Sequence, residues 1–201
     1  MLHAPSKRLA FAAAFLCGAA AILAQPIARA VGVGGAAPAA YAPSTGQSTM
    51  TATRTLVPGL LVAGQIDPVQ MVFAKRDGVR TVIDLRPDGE ESSQTPSATM
   101  ASTAAANGMA FRYVPVPQGD LLDEAADRLG EALAGAEGPV LLYCRSGRRA
   151  ARAWALAEAS RPGGLDAGAI TRAVTEAGQA ADDLAPRIAV RVAARTTAST
   201  R

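Results

Sequence analysis

Four short apolar runs recur along the middle of the chain, each followed by a segment of helical pattern. They are Gly59-Leu-Leu-Val-Ala63, Thr81-Val-Ile-Asp-Leu85, Phe111-Arg-Tyr-Val-Pro-Val116 and Val140-Leu-Leu-Tyr143. Runs of this length, rich in β-branched residues and bounded by Gly, Pro or Asp, predict buried strands. Between them Asp67-Pro68 predicts a helix start with Pro at its first position, ended by Asp77-Gly78. Thr95-Pro96 opens an Ala-rich helix stopped at Asn107-Gly108, and Leu121 to Ala136 is amphipathic. After the fourth run, an Ala-rich helix extends through Trp154 to Ser160, and another spans Leu165 to Ala177. From Asp182 a short helix gives way to a tail in which Arg187, Arg191, Arg195 and Arg201 face no acid nearby in sequence, which predicts a solvated basic end. Trp154 falls on the same helical face as Ala150 and Ala157 and is expected in the core.

Strands alternating with helices predict an α/β fold with a largely parallel central sheet of about four to five strands, flanked by helices. Ligands of such sheets bind beyond the carboxyl ends of the strands. Cys144, Arg86 and Asp120 each lie just past such an end, so topology alone brings them to one crevice.

The N-terminal third changes the domain count. Lys7 and Arg8, an apolar run from Leu9 to Ala24 and the small residues Ala28-Arg29-Ala30 make residues 1–30 a cleavable signal peptide by pattern, with export to the periplasm as its consequence. The run is shorter than the roughly 20 residues of a membrane span, so no membrane association is expected after cleavage. Residues 31–54, nearly all Gly, Ala, Pro, Ser and Thr, read as a disordered linker, 55–185 as the folded domain and 186–201 as a basic flexible tail. Loss of residues 1–30 lowers the basic side chains from 20 to 17 against 17 acidic ones, so the formal charge of +3 vanishes and nucleic acid is not an expected partner. It also leaves Cys144 as the single cysteine, without an internal disulfide partner. The one His, His3, leaves with the leader; no metal site and no cofactor are expected.

The chemistry concentrates in Cys144-Arg-Ser-Gly-Arg-Arg149. A thiol between a strand end and a helix start meets unpartnered backbone N–H groups and the positive end of the helix, which favour an anion. Arg145, Arg148 and Arg149 add formal charge, and Ser146 and Gly147 complete the loop, so this segment is the candidate anion cradle with Cys144 as nucleophile. Arg86 suits either a second anion contact, oriented by Asp84 and Glu90, or a purely structural part. Asp120, with Asp123 second, is placed to act as general acid; the pair equally suits a helix cap with an acidic first turn.

From Leu61 to about Ala181 the chain resembles the phosphatase-like domain of the beta-lactamase hydrolase-like proteins. The resemblance rests on Gly64-Gln65-Ile66, Thr81-Val-Ile-Asp-Leu-Arg86-Pro-Asp-Gly-Glu90, Tyr113-Val-Pro-Val116 and Pro139-Val-Leu-Leu-Tyr-Cys144-Arg-Ser-Gly-Arg-Arg149. It implies a protein-tyrosine-phosphatase-like fold and either phosphatase or sulfur-transferase activity. Tyrosine phosphatases carry His before the nucleophile and Arg six positions after it; here Tyr143 and Ala150 stand there, and Arg149 comes five positions on, as in rhodanese-like loops. Three functions stay open: hydrolysis of a phosphomonoester through Cys144, sulfur transfer through a Cys144 persulfide, and anion binding without turnover. Each takes a small anionic substrate or ligand.

Overall fold

The computed structural model describes residues 52–117 and 122–199. The expected signal peptide, the expected linker up to residue 51, and Asp120 lie outside the described residues. The sheet has five strands: β1 (Arg54–Val57), β2 (Leu60–Ala63), β3 (Thr81–Asp84), β4 (Ala110–Tyr113) and β5 (Val140–Tyr143). Their order is β1-β2-β5-β3-β4, parallel throughout except for β1, which pairs antiparallel with β2. β1 is an addition to the sequence expectation, which assigned residues 31–54 to a linker. Its four residues carry too little apolar content to be told from the polar segment before them.

The central pair, β3 and β5, is buried at every position. This explains their unbroken apolar runs, since a parallel strand covered on both faces has no polar side. Against one face pack α1 (Pro68–Arg76) and α2 (Ser97–Ala106), with Met71, Ala74, Met100 and Ala104 meeting Val82, Leu141 and Tyr143. α1 starts as its sequence predicts: the Asp67 side chain accepts from Gln70 N, Gln70 reaches back to Asp67 N, and Pro68 follows the cap. Against the other face pack α3 (Leu122–Ala134), α4 (Arg148–Ser160), α5 (Ala167–Glu176) and α6 (Ala185–Ser199), the last preceded by a 3-10 turn at Asp182–Leu184. Trp154 is 2 % exposed in this layer, as expected.

The basic tail expected over 186–201 is instead, through Ser199, a helix docked on α3 and α4. Ile188 is fully buried, Arg187 and Arg191 pair with Asp123, Arg191 also with Asp127, and Arg195 donates to the carbonyls of Glu158 and Gly164. The arginines recur every fourth residue and so share one helical face, and their acids lie 64 or more residues away in sequence.

Candidate functional site

Side chains alternate along β5, so Leu141 and Tyr143 face α1 and α2 while Leu142 and Cys144 face the larger layer. Cys144 thus emerges at the carboxyl end of the central strand, against the helix that follows. The chain turns through Arg145, Ser146 and Gly147 into α4. Gly147 has φ +87°, and a Cβ there would approach Gln179 Nε2 to 3.1 Å and the Ala63 carbonyl oxygen to 3.4 Å. Glycine is required on both counts. Gln65 N donates to the Arg145 carbonyl at 3.1 Å and fixes the other side of the loop.

α4 begins without help. Gly147 supplies no capping side chain and the first turn holds no acid. Among the described residues, no acceptor takes the N–H groups of Ser146, Gly147, Arg148 or Arg149. Unclaimed donors at the positive end of a 13-residue helix are the chemistry that suits an anion.

Arg149 is held at the edge of this ring by an acid the sequence reading treated only as a support for Arg86. Glu90 spans both arginines: its Oε1 lies 2.8 Å from Arg149 Nη1, and its Oε2 accepts from Arg149 Nη2 and from Arg86 Nε, each at 2.8 Å. Arg149 Nη1 also donates to the Val116 carbonyl at 2.9 Å, and Nη2 keeps a hydrogen in reserve. Burial alone would raise the Glu90 carboxyl, but hydrogen bonds and charge from Arg149 and Arg86 hold it below the usual range. Arg86 itself is 3 % exposed, with Gln65 Oε1 at 2.9 Å from Nη1 and Glu91 Oε2 at 3.1 Å from Nη2. Arg86 anchors Glu90, and Glu90 orients Arg149.

Beneath Arg86, the Asp84 carboxylate accepts from Arg86 N at 2.8 Å. Asp84 and Tyr143 are register partners in β3 and β5, and both side chains are buried. Burial pushes the Asp84 carboxyl up to about 6, partly offset by Tyr143 and by the Arg86 N–H. Burial and then the Asp84 charge push the Tyr143 phenol well above its ordinary value. The Tyr143 hydroxyl lies near Asp84 without a hydrogen bond of full geometry among the described residues. An Asp closing an otherwise apolar strand, two residues before an Arg, was the signal for this pair.

The remaining expectations divide. Asp120 lies outside the described residues. Asp123 is drawn away from the cradle by Arg187 and Arg191, whose hydrogen bonds and charges hold its carboxyl below the usual range against the effect of burial. An ionised, doubly paired carboxylate is a poor proton donor, and Asp123 lies in the first turn of α3 with its charge near the positive end of that helix. The Arg145, Ser146 and Arg148 side chains are exposed, so the loop offers its backbone inward and its charges outward. Cys144 is fully buried. Substrate therefore reaches its sulfur only when the covering residues move. A cavity of about 540 Å³ lies elsewhere, at the opposite end of the sheet, between Leu60, Val140, Leu133 and Trp154; it is apolar and distant from this chemistry. Among the described residues no cluster of His, Cys, Asp and Glu could hold a metal ion.

The comparisons with known proteins fit this geometry. Residues 52–161 match the family model for the beta-lactamase hydrolase-like protein, phosphatase-like domain. The chain belongs to that family. Curated relatives of this phosphatase-like domain include the beta-lactamase hydrolase-like proteins of Xylella fastidiosa, 35 % identical over 99 residues, and Agrobacterium fabrum, 37 % identical over 101. These matches cover 49 % and 50 % of this chain and 23 % of each relative, so the phosphatase-like domain spans under a quarter of those proteins. Among solved structures, a Neisseria meningitidis protein provisionally termed a phosphatase superposes with TM-score 0.60 at 27 % identity, covering 69 % of this chain and 96 % of that one. Tk-PTP in its active form superposes with TM-score 0.51 at 14 % identity, covering 71 % and 97 %, which shows the protein-tyrosine-phosphatase-like fold. By family this is thus a phosphatase-like domain, and by fold a protein-tyrosine-phosphatase-like α/β domain.

Proposed function

We propose that the protein hydrolyses phosphomonoesters through a phosphocysteine intermediate. The Cys144 sulfur attacks phosphorus, the ester P–O bond breaks, and the departing oxygen takes a proton from an acid, the part assigned to Asp120. Water then attacks the same phosphorus, the S–P bond breaks, and orthophosphate leaves with Cys144 restored. The free N–H groups of residues Ser146 to Arg149 and the spare Arg149 donor bind the equatorial oxygens, where charge builds up in the transition state. The observation that carries this reading is the conjunction of Cys144 at the end of β5, an unclaimed donor ring at the start of α4, and an Arg149 oriented by two contacts to Glu90. The first thirty residues are read as an export leader, and N-terminal sequencing of the exported form checks that.

The test is turnover of p-nitrophenyl phosphate by the full chain. Cys144→Ser should abolish it, and Asp120→Asn should lower turnover of an alkyl phosphate, whose leaving group is poor, by about 100-fold or more while affecting p-nitrophenyl phosphate far less. The spacing of Arg149, five residues after Cys144, favours a second reading, sulfur transfer. A gain of one sulfur mass on Cys144 after thiosulfate, with no phosphatase activity, would replace the first reading with the second. Silence in both assays would leave anion binding without turnover.

A further inference from the structure

The arginines around the cradle are not equivalent. On the β3 and β4 side, Arg86 and Arg149 are balanced by Glu90 and Glu91. On the other side, Arg145 lies where its carbonyl meets Gln65 N, at the end of β2, and Arg148 opens α4 toward the turn at Asp182–Leu184. Both are exposed, and no side chain among the described residues pairs with either. Asp183 is close enough for the Arg148 charge to act on it, but its hydrogen bonds go to Arg152, at 2.5 and 2.7 Å.

This placement works against the local rules of the fold. α1 and α5 open on capping aspartates, and α3 carries Asp123 and Glu124 in its first turn, as the positive end of a helix favours. α4 instead places Arg148 and Arg149 at that end with no acid beside them. A break of this kind is expected where function outweighs stability. One phosphate dianion in the donor ring answers the helix end and Arg149, and leaves Arg145 and Arg148 without a hydrogen-bonded acid among the described residues.

We infer that the site selects phosphoesters that carry a second phosphate group close to the scissile one, with Arg145 and Arg148 binding that second group. The inference rests on the phosphatase reading of the same site and adds its substrate class. The scissile phosphate lies in the donor ring over Cys144, and the neighbouring phosphate extends toward the β2 and α4 side, where guanidinium forks match its oxygens. The bond broken is unchanged; the second group contributes binding.

The experiment compares kcat/KM of the full chain on inositol 4-phosphate and inositol 4,5-bisphosphate, read as phosphate release. The bisphosphate should be favoured about tenfold or more at low ionic strength, and the preference should shrink at about 0.3 M salt as the charges are screened. Arg145→Gln/Arg148→Gln should bring the ratio to about one, and the double Lys variant should keep much of it. A ratio near one in the unmodified protein, or a ratio unchanged in the Gln variant, overturns the proposal. If the double variant does not fold, the single variants and the salt response of the unmodified protein give the same decision. If p-nitrophenyl phosphate shows no Cys144-dependent turnover, the phosphatase reading has failed separately. Calorimetric binding of the two inositol phosphates then decides this one: tighter bisphosphate binding lost in the Gln variant upholds it, and equal binding refutes it.

Discussion

Asp84 joins strand to site, because its side chain holds the backbone of Arg86 from inside the core. Its carboxyl is raised from 3.8 to about 6, chiefly by burial. Between those values the folded protein binds more protons than the unfolded chain, so Asp84 contributes stability that is present below pH 3.8 and lost as pH rises through about 6. The shift corresponds to roughly 3 kcal/mol. Asp84→Asn keeps the acceptor for Arg86 N and removes the titration, so urea denaturation of this variant should lack a fall in stability that the unmodified protein shows between pH 4 and about 6.5. Glu90 makes a second test. Its removal would strip the Arg149 orientation and leave the nearly buried Arg86 with only Glu91 and Gln65, so Glu90→Ala should cost about 3 kcal/mol in denaturant and most of the activity. Cys144, Gly147 and Arg149 were legible in the sequence because strand, loop and helix are contiguous there. The Glu90 bridge was only half legible: its partner Arg86 is four residues away, but Arg149 is 59 away, and local spacing carries no sign of that pairing.

At the scale of elements, the same distinction explains α6. Helix and strand positions between Pro68 and Glu176 followed from periodicity and caps, because those signals are local. The docking of α6 depends on Asp123, Asp127 and the end of α4, and a run of arginines read alone suggests a solvated end. Magnitudes separate what holds it. Asp123 and Asp127 are more than half exposed, at 51 % and 63 %, so their ion pairs are screened and together are worth about 1 kcal/mol. Ile188 is fully buried, and its truncation should cost about 2–5 kcal/mol. Thermal denaturation should therefore rank Ile188→Ala well below Arg187→Ala/Arg191→Ala, and only the arginine variant should lose its deficit at high salt.

Across the whole molecule, the sheet separates a chemical end from an apolar one. Loops with charged groups cluster where β3 and β5 finish, and the 540 Å³ cavity lies where β2 and β5 begin. Gly130 of α3 borders that cavity; a Cβ there would touch the Ala157 Cβ at 3.9 Å, an ordinary contact, and its backbone φ is not positive. Gly130→Ala should raise stability by about 1 kcal/mol through helix propensity, seen as a higher Tm, without changing phosphate-ester turnover. The α/β class and the mostly parallel order were legible from alternation alone, whereas the antiparallel β1 was not, since a four-residue edge strand with only Leu56 buried leaves little pattern.

The enclosure of Cys144 has a consequence for the protein's working life. A sulfur shut away at rest meets peroxide only while the surrounding groups part to admit a molecule. Inactivation in an oxidising medium should then follow the tally of catalytic cycles rather than the hours elapsed, so that an idle enzyme ages slowly and a busy one wears out.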